Sequence, residues 1–88
     1  MLIMTYYYVY LIKSTNLTKR SKTYVGYTNN LKRRLNLHNN NKGAKSTMGY
    51  TWKILFKKKF LSKSKAMSYE YNLKHNKKLR KLIVDKYE

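Results

Sequence analysis

The chain changes its hydrophobic rhythm several times, and each change predicts a new element. From Tyr6 to Ile12 the run YYYVYLI is apolar or aromatic throughout, β-branched at Val9 and Ile12, with no glycine or proline. Such a run predicts a central strand buried on both faces. Lys13 to Lys22 is polar and aperiodic, a loop joining two neighbouring strands. Thr23 to Tyr27 predicts a second strand, in which Gly26 marks a close approach by another backbone or a ligand. After a polar turn from Thr28 to Asn30, Leu31, Leu35 and His38 share one face of a helix with Arg34 at its margin, and Asn29 or Asn30 supplies the cap. Asn39 to Met48 reads as a loop, and Thr51 to Phe60, TWKILFKKKF, as a third strand ending at an exposed basic rim. Ser62 or Ser64 then caps a helix on which Ala66, Met67, Glu70, Leu73 and Lys74 recur at three- and four-residue spacing. A last basic helix, Lys77 to Lys86, turns Leu79, Leu82 and Ile83 inward. With no repeat and no linker, the pattern predicts one α/β (α+β) domain over residues 1–88, a small central three-stranded mixed sheet flanked by helices.

Composition sharpens this picture. A chain of 88 residues buries only about 60 to 65% of its unfolded surface, yet 42% hydrophobic residues suffice for one sheet with helices on it. Twenty-one Lys and Arg against three acids give a formal net charge of +18, which concentrates polyanions and points to nucleic acid before membrane or protein partners. A coding bias toward Lys, Asn, Tyr and Ile would produce part of the same excess. The absence of cysteine excludes disulfides and thiolate zinc sites, so no zinc-binding module is expected beside this domain. The opening MLIMTYYYVYLI has no basic leader or small-residue cleavage site and is too short to span a bilayer. The expected setting is intracellular, with DNA and away from membranes.

Candidate chemistry is sparse. Arg34 and His38 stand four residues apart and so rise from one helix face, a guanidinium and an imidazole suited to holding and working on a phosphate. Of the three acids, Asp85 and Glu88 fall at the C-terminal end, expected to fray, which leaves Glu70 embedded in the domain. A carboxylate on an apolar helix side needs an ion pair, hydrogen bonds or a cation. A two-metal nuclease site needs several carboxylates and cannot be built here. The segment Gly43 to Ser46 is not a P-loop, since no glycine directly precedes its lysine, and Lys42 and Lys45 read as phosphate contacts. Spacing alone does not separate Tyr10 and Tyr24 from the other tyrosines, and His75 reads as a solvated helix residue.

Taken together, Tyr8-Val9-Tyr10, Tyr24-Val25-Gly26 followed by Thr28, Arg34 and His38 on a helix, Trp52 at a strand, and Ala66, Glu70 and Lys74 on a later helix resemble the GIY-YIG endonuclease domain. The resemblance runs from Tyr8 to about Leu82, with Tyr8 in place of the first glycine of the family's name. It is similar to the branch of structure-specific nucleases that cut flaps and branched junctions, which also holds small single-domain bacterial relatives. Eukaryotic junction-cutting members carry a RING-like zinc domain that this chain lacks.

The resemblance implies roles for individual residues. Tyr10 would be the phenolic base or the nucleophile, Tyr24 would orient the phosphate and Gly26 would let backbone approach it. Arg34 would stabilise charge, His38 would relay a proton from Tyr10, and Glu70 would hold one divalent cation, Mg²⁺ or Mn²⁺, at the leaving oxygen. Thr28, Arg33, Lys42, Lys45 and Lys74, with Gly26, are candidate nucleic-acid contacts. The asparagine that some members carry well after the glutamate has no counterpart, because Asn72 and Asn76 lie too close to Glu70. A phenol has an ordinary pKa near 10, so a phenolate base needs cations, and Arg34 with the overall positive field is expected to supply them.

The expected function is a metal-dependent endonuclease that hydrolyses phosphodiester bonds in DNA, on branched or flap structures in repair or recombination. Two alternatives share the surface: a non-catalytic basic module of the same fold, and a nuclease subunit that needs a scaffold protein.

Overall fold

The computed structural model describes residues 4–88, so the first three residues of the apolar opening lie outside the described residues. In chain order the elements are β1 (Tyr7–Ser14), β2 (Thr23–Thr28), α1 (Leu31–Asn39), a single 3-10 turn (Lys45–Thr47), β3 (Trp52–Phe60), α2 (Lys63–Lys74) and α3 (Lys77–Tyr87). β1 outlasts the apolar run because its polar end still pairs, Lys13 with Thr23 and Lys53, and Ser14 with Trp52.

The strands lie in the order β2-β1-β3, with β1 central as its composition predicts. Both pairings are antiparallel, so the sheet is not mixed as expected. The reason is topological: β2 and β3 do run the same way, but the connection through α1 passes over β1, so the two are never neighbours. A bulge between Leu11 and Ile12 of β1 skips Leu55 in the β3 pairing. That extra residue lets both Leu55 and Phe56 serve one core while Ile54 serves the other.

Each sheet face has its own core. Val9 and Leu11 of β1, with Val25, are covered by Ala66 and Leu73 of α2 and Ile83 of α3. On the opposite face Tyr10 and Ile12 meet Trp52, with Leu31 and Leu35 of α1 packed on them. Strand alternation therefore aims Tyr10 at α1, while Glu70 belongs to a helix on the other layer.

The helices begin at asparagine and serine caps. Asn30 Oδ1 accepts from the Arg33 amide at 3.1 Å, Ser62 Oγ from Lys65 at 3.3 Å and Asn76 Oδ1 from Leu79 at 3.0 Å. Two expected core positions are exposed instead, Met67 at 46% and Leu82 at 66%. Each follows or precedes a buried residue, Ala66 or Ile83, by one step of about 100°, which carries it off the narrow stripe these short helices bury. The C-terminal end is docked where fraying was expected: Tyr87 lies 5.9 Å from the Phe56 ring and Glu88 pairs with Lys13 of β1.

Candidate active site

The site is organised by what Gly26 lacks. Tyr10 on β1 pairs with Gly26 on β2, and its phenol lies across the space a side chain would fill. A Cβ on Gly26 would stand 2.7 Å from Cζ of Tyr10 and closer still to its oxygen, so the close approach that the strand glycine signals is made by the chain's own tyrosine. Tyr24, two residues earlier on the same face of β2, stands 6.3 Å from the Tyr10 ring and 4.9 Å from that of His38.

Two groups converge on the Tyr10 oxygen from above the sheet. His38 Nε2 lies 2.8 Å from Tyr10 Oη, and Arg34 Nε donates to the same oxygen at 3.2 Å. The four-residue spacing on α1 thus places cation and imidazole one turn apart over a single hydroxyl. His38 is wholly buried; its Nδ1 lies 2.9 Å from Thr47 Oγ1, and Thr47 in turn donates to the Ala44 carbonyl at 2.8 Å. Gly43 lies against the same ring, where a Cβ would come within 3.0 Å of Cγ and Cε1 of His38 and closer to Nδ1.

Burial sets the charge states. It pushes the Tyr10 phenol up to about 12, against the pull of the Arg34 hydrogen bond and charge. The expectation that nearby cations would stabilise a phenolate is therefore not met, because desolvation outweighs one guanidinium. Burial, reinforced by Arg34, pushes His38 down to about 4, so its imidazole is neutral at physiological pH. Tyr10 and His38 form a neutral hydrogen-bonded pair.

Glu70 approaches from the second layer. Its side chain is 17% exposed and pairs with Lys74 at 3.5 Å, one turn along α2. Lys74 Nζ sits 5.7 Å from the Tyr24 ring centre, which brings this pair to the β2 edge. The carboxylate is near enough to Tyr10 to oppose its ionisation, behind burial, the hydrogen bond and charge of Arg34, and Tyr24 in size. Arg80 closes the end of α2 by donating to the carbonyls of Leu73 and Lys74, and shares a groove with Thr23, Tyr24 and Lys74. At the other end of β2, Thr28, Arg33 and Arg34 line an open groove of about 530 Å³.

Among the described residues no three His, Asp, Glu or Cys side chains cluster as a metal cage. The donor set still suits one hard cation. Mg²⁺ keeps several waters and commonly takes one or two carboxylates plus substrate phosphate oxygens, and Glu70 would supply one carboxylate once Lys74, paired with it at 3.5 Å, swings aside.

Tyr10, Tyr24, Gly26, Arg34 and His38 are thus brought together, with Glu70 and Lys74 beside them. Thr28 and Arg33 sit one groove away, whereas Lys42, on the loop before the 3-10 turn, and Lys45, the first residue of that turn, are exposed. His75 is exposed and ends α2, donating to the Tyr71 carbonyl at 2.7 Å. Gly43, Ala44 and Thr47 carry no assigned role in the sequence reading: the Gly-Ala-basic run ending at Thr47 belongs to the family resemblance, but an aperiodic loop gives no sign of which side chain it lies against. Trp52 also acquires a reason: its indole donates to the Thr47 carbonyl at 3.0 Å and fixes the loop on which Thr47 stands.

Comparison with known proteins identifies the family and the fold. The family model of the GIY-YIG catalytic domain matches residues 6–83. The chain is 39% identical over 83 residues to UPF0213 protein OB0043 of Oceanobacillus iheyensis, covering 93% of this chain and 92% of that one. It is 44% identical over 78 residues to protein L300 of Acanthamoeba polyphaga mimivirus, covering 83% of this chain and 45% of the viral protein. The solution NMR structure of UPF0213 protein BH0048 from Bacillus halodurans superposes with a TM-score of 0.53 at 33% identity, over 92% of this chain and 83% of that one. Among the described residues no helix is long and apolar enough to cross a membrane. A three-stranded antiparallel sheet, helices on both faces and a match spanning nearly its whole length make this chain a member of the GIY-YIG catalytic domain family.

Proposed function

We propose that the protein is an endonuclease that hydrolyses phosphodiester bonds in DNA with the help of one divalent cation. The observation that carries this reading is the hydrogen-bonded trio on Tyr10 Oη, with His38 Nε2 at 2.8 Å and Arg34 Nε at 3.2 Å. A phenol oxygen has one proton and two acceptor positions. With the proton toward His38 and one acceptor position taken by Arg34, the other is free to accept a proton from an attacking water.

Tyr10 therefore need not become a free phenolate. As it takes the proton of the water, it passes its own to His38 Nε2, and net charge never accumulates on the buried oxygen. The phosphate that enters brings negative charge beside His38 and opposes the Arg34 field that depresses its proton affinity. Arg34 keeps its remaining guanidinium donors for the phosphate oxygens. Tyr24 walls the site and orients the phosphate, and Gly26 keeps the strand low beneath it. A divalent cation, when bound at Glu70, would neutralise charge developing on the leaving oxygen.

The two grooves extend the site along β2. Thr28 and Arg33 stand at one end, Lys74 and Arg80 at the other, with the Tyr10 oxygen between them over Gly26. A polynucleotide backbone laid along this edge strand would meet cations at both ends, and Lys42 and Lys45 would add peripheral contacts. Branched or flap DNA, as in repair and recombination, is the substrate class we favour, since an open edge accepts a backbone that leaves a duplex. A scaffold protein supplying further recognition is compatible with so small a site.

The test is a cleavage panel of flap, junction, duplex and single-stranded DNA with Mg²⁺ or Mn²⁺. The wild-type protein should nick at least one branched substrate, and Glu70→Ala should bind it equally and not cut. Equal cutting by both would reject the mechanism.

A further inference from the structure

We infer that Thr47 is a positioning residue that holds His38 in the tautomer able to receive a proton from Tyr10. The inference rests on the proposed nuclease chemistry for its consequence, but its structural content is independent of it.

A threonine hydroxyl has a single proton. That of Thr47 is directed to the Ala44 carbonyl at 2.8 Å, so toward His38 Nδ1, 2.9 Å away, Thr47 Oγ1 can only accept. The Nδ1 position of His38 must then carry the ring hydrogen. A neutral imidazole has one such hydrogen, and Nε2 is left as a bare lone pair facing Tyr10 Oη at 2.8 Å. The order of donation is Tyr10 O–H to His38 Nε2, His38 Nδ1–H to Thr47 Oγ1, and Thr47 O–H to the Ala44 carbonyl.

Without that acceptor the ring would be free to carry its hydrogen on Nε2. There it would point at the Tyr10 oxygen and occupy the position the relay requires. The same logic makes an orienting partner worth a large factor in other acid–base sites, where the wrong tautomer preserves geometry and loses rate.

The surroundings fix Thr47 for this role. Both Thr47 and His38 are 0% exposed, so no water substitutes for the hydroxyl. The 3-10 turn Lys45–Thr47 sets the backbone, the Trp52 indole holds the Thr47 carbonyl at 3.0 Å, and Gly43 removes the Cβ that would push His38 Nδ1 away. The other groups facing His38 are Tyr10 from β1, Tyr24 from β2 and Arg34 from its own helix; Glu70 of α2 acts on Tyr10. None of these accepts from Nδ1.

The direct test is ¹⁵N NMR of the histidine rings in the full-length protein, with His75→Gln used to assign the two signals. Wild type should show His38 as the neutral Nδ1–H tautomer at pH 7, and Thr47→Val should shift it toward Nε2–H. With cleavage as the second readout, Thr47→Val should lower kcat on the order of 10²-fold with KM unchanged, and Thr47→Ser should restore kcat to within about threefold. A wild-type His38 in the Nε2–H form overturns the inference even if no variant can be purified. So does a Thr47→Val protein whose tautomer or kcat matches wild type. A protein that cuts no DNA but shows the Nδ1–H tautomer and its loss in Thr47→Val would reject the nuclease reading and leave the positioning role intact.

Discussion

Tyr10 and Gly26 are cross-strand partners, and the phenol of the first lies over the bare Cα of the second. This pairing lets a residue of the central strand deliver its oxygen to the edge of the sheet. Any side chain on Gly26 would meet the phenol ring rather than a movable tip, so overpacking cannot be relieved cheaply. Gly26→Ala should cost about 1 to 3 kcal/mol, read as a lower denaturant midpoint, and should remove cleavage out of proportion to that loss.

Removing only the oxygen separates chemistry from packing. Tyr10→Phe keeps the ring between Ile12 and Tyr24 but leaves the Arg34 Nε donor and the buried His38 Nε2 without their partner. The variant should fold, lose about 1 to 3 kcal/mol in chemical denaturation, and cleave at least 10²-fold more slowly with DNA affinity unchanged. A Tyr10→Phe enzyme with wild-type kcat would show that another group takes the water's proton.

The pH dependence of stability follows from His38 and Tyr10. Burial, with Arg34, holds His38 at about 4 when folded against 6.5 in its ordinary state, so below pH 6.5 the unfolded chain takes up a proton that the native state refuses. His38 therefore lowers stability progressively as pH falls from 6.5 toward 4, by about 1.4 kcal/mol per pH unit at the steepest. Tyr10, raised by burial from 10.0 to about 12, has the opposite reach: its contribution is complete below pH 10 and is lost as pH rises toward 12. Urea titrations across pH should show a plateau between these limits, and His38→Gln should flatten the acid limb.

The cleavage profile should differ from that of a free phenolate base. A relay needs neutral His38, not ionised Tyr10, so kcat at saturating cation should stay level between about pH 6 and pH 9 and fall on acidification. A rate that instead climbs steadily into the alkaline range would indicate that Tyr10 ionises in the complex.

The +18 charge makes a quantitative demand on binding. Affinity for duplex DNA should fall linearly with salt on logarithmic axes, and Arg33→Ala, Lys42→Ala and Lys45→Ala should each reduce the slope by about 1 if each meets a phosphate. An unchanged slope would place that residue off the DNA.

Much of this molecule was determined by its sequence alone. The breaker-free run Tyr6 to Ile12 could only be a strand buried on both faces, the change of period at Leu31 announced α1, and Asn30 and Ser62 capped their helices where short polar side chains stood before apolar stripes. These are local matters, set by side-chain spacing along a few turns or pleats. The four-residue step from Arg34 to His38 was legible for the same reason. Three things were decided only by tertiary structure. The antiparallel sheet depended on α1 carrying β3 past β1, which no local pattern encodes. The charge state of Tyr10 was set by burial, a property of everything packed around it, and ran against the excess of cations in the composition. Finally, Gly43, Ala44 and Thr47 joined the site because an aperiodic loop, pinned by the Trp52 indole, folds back onto His38.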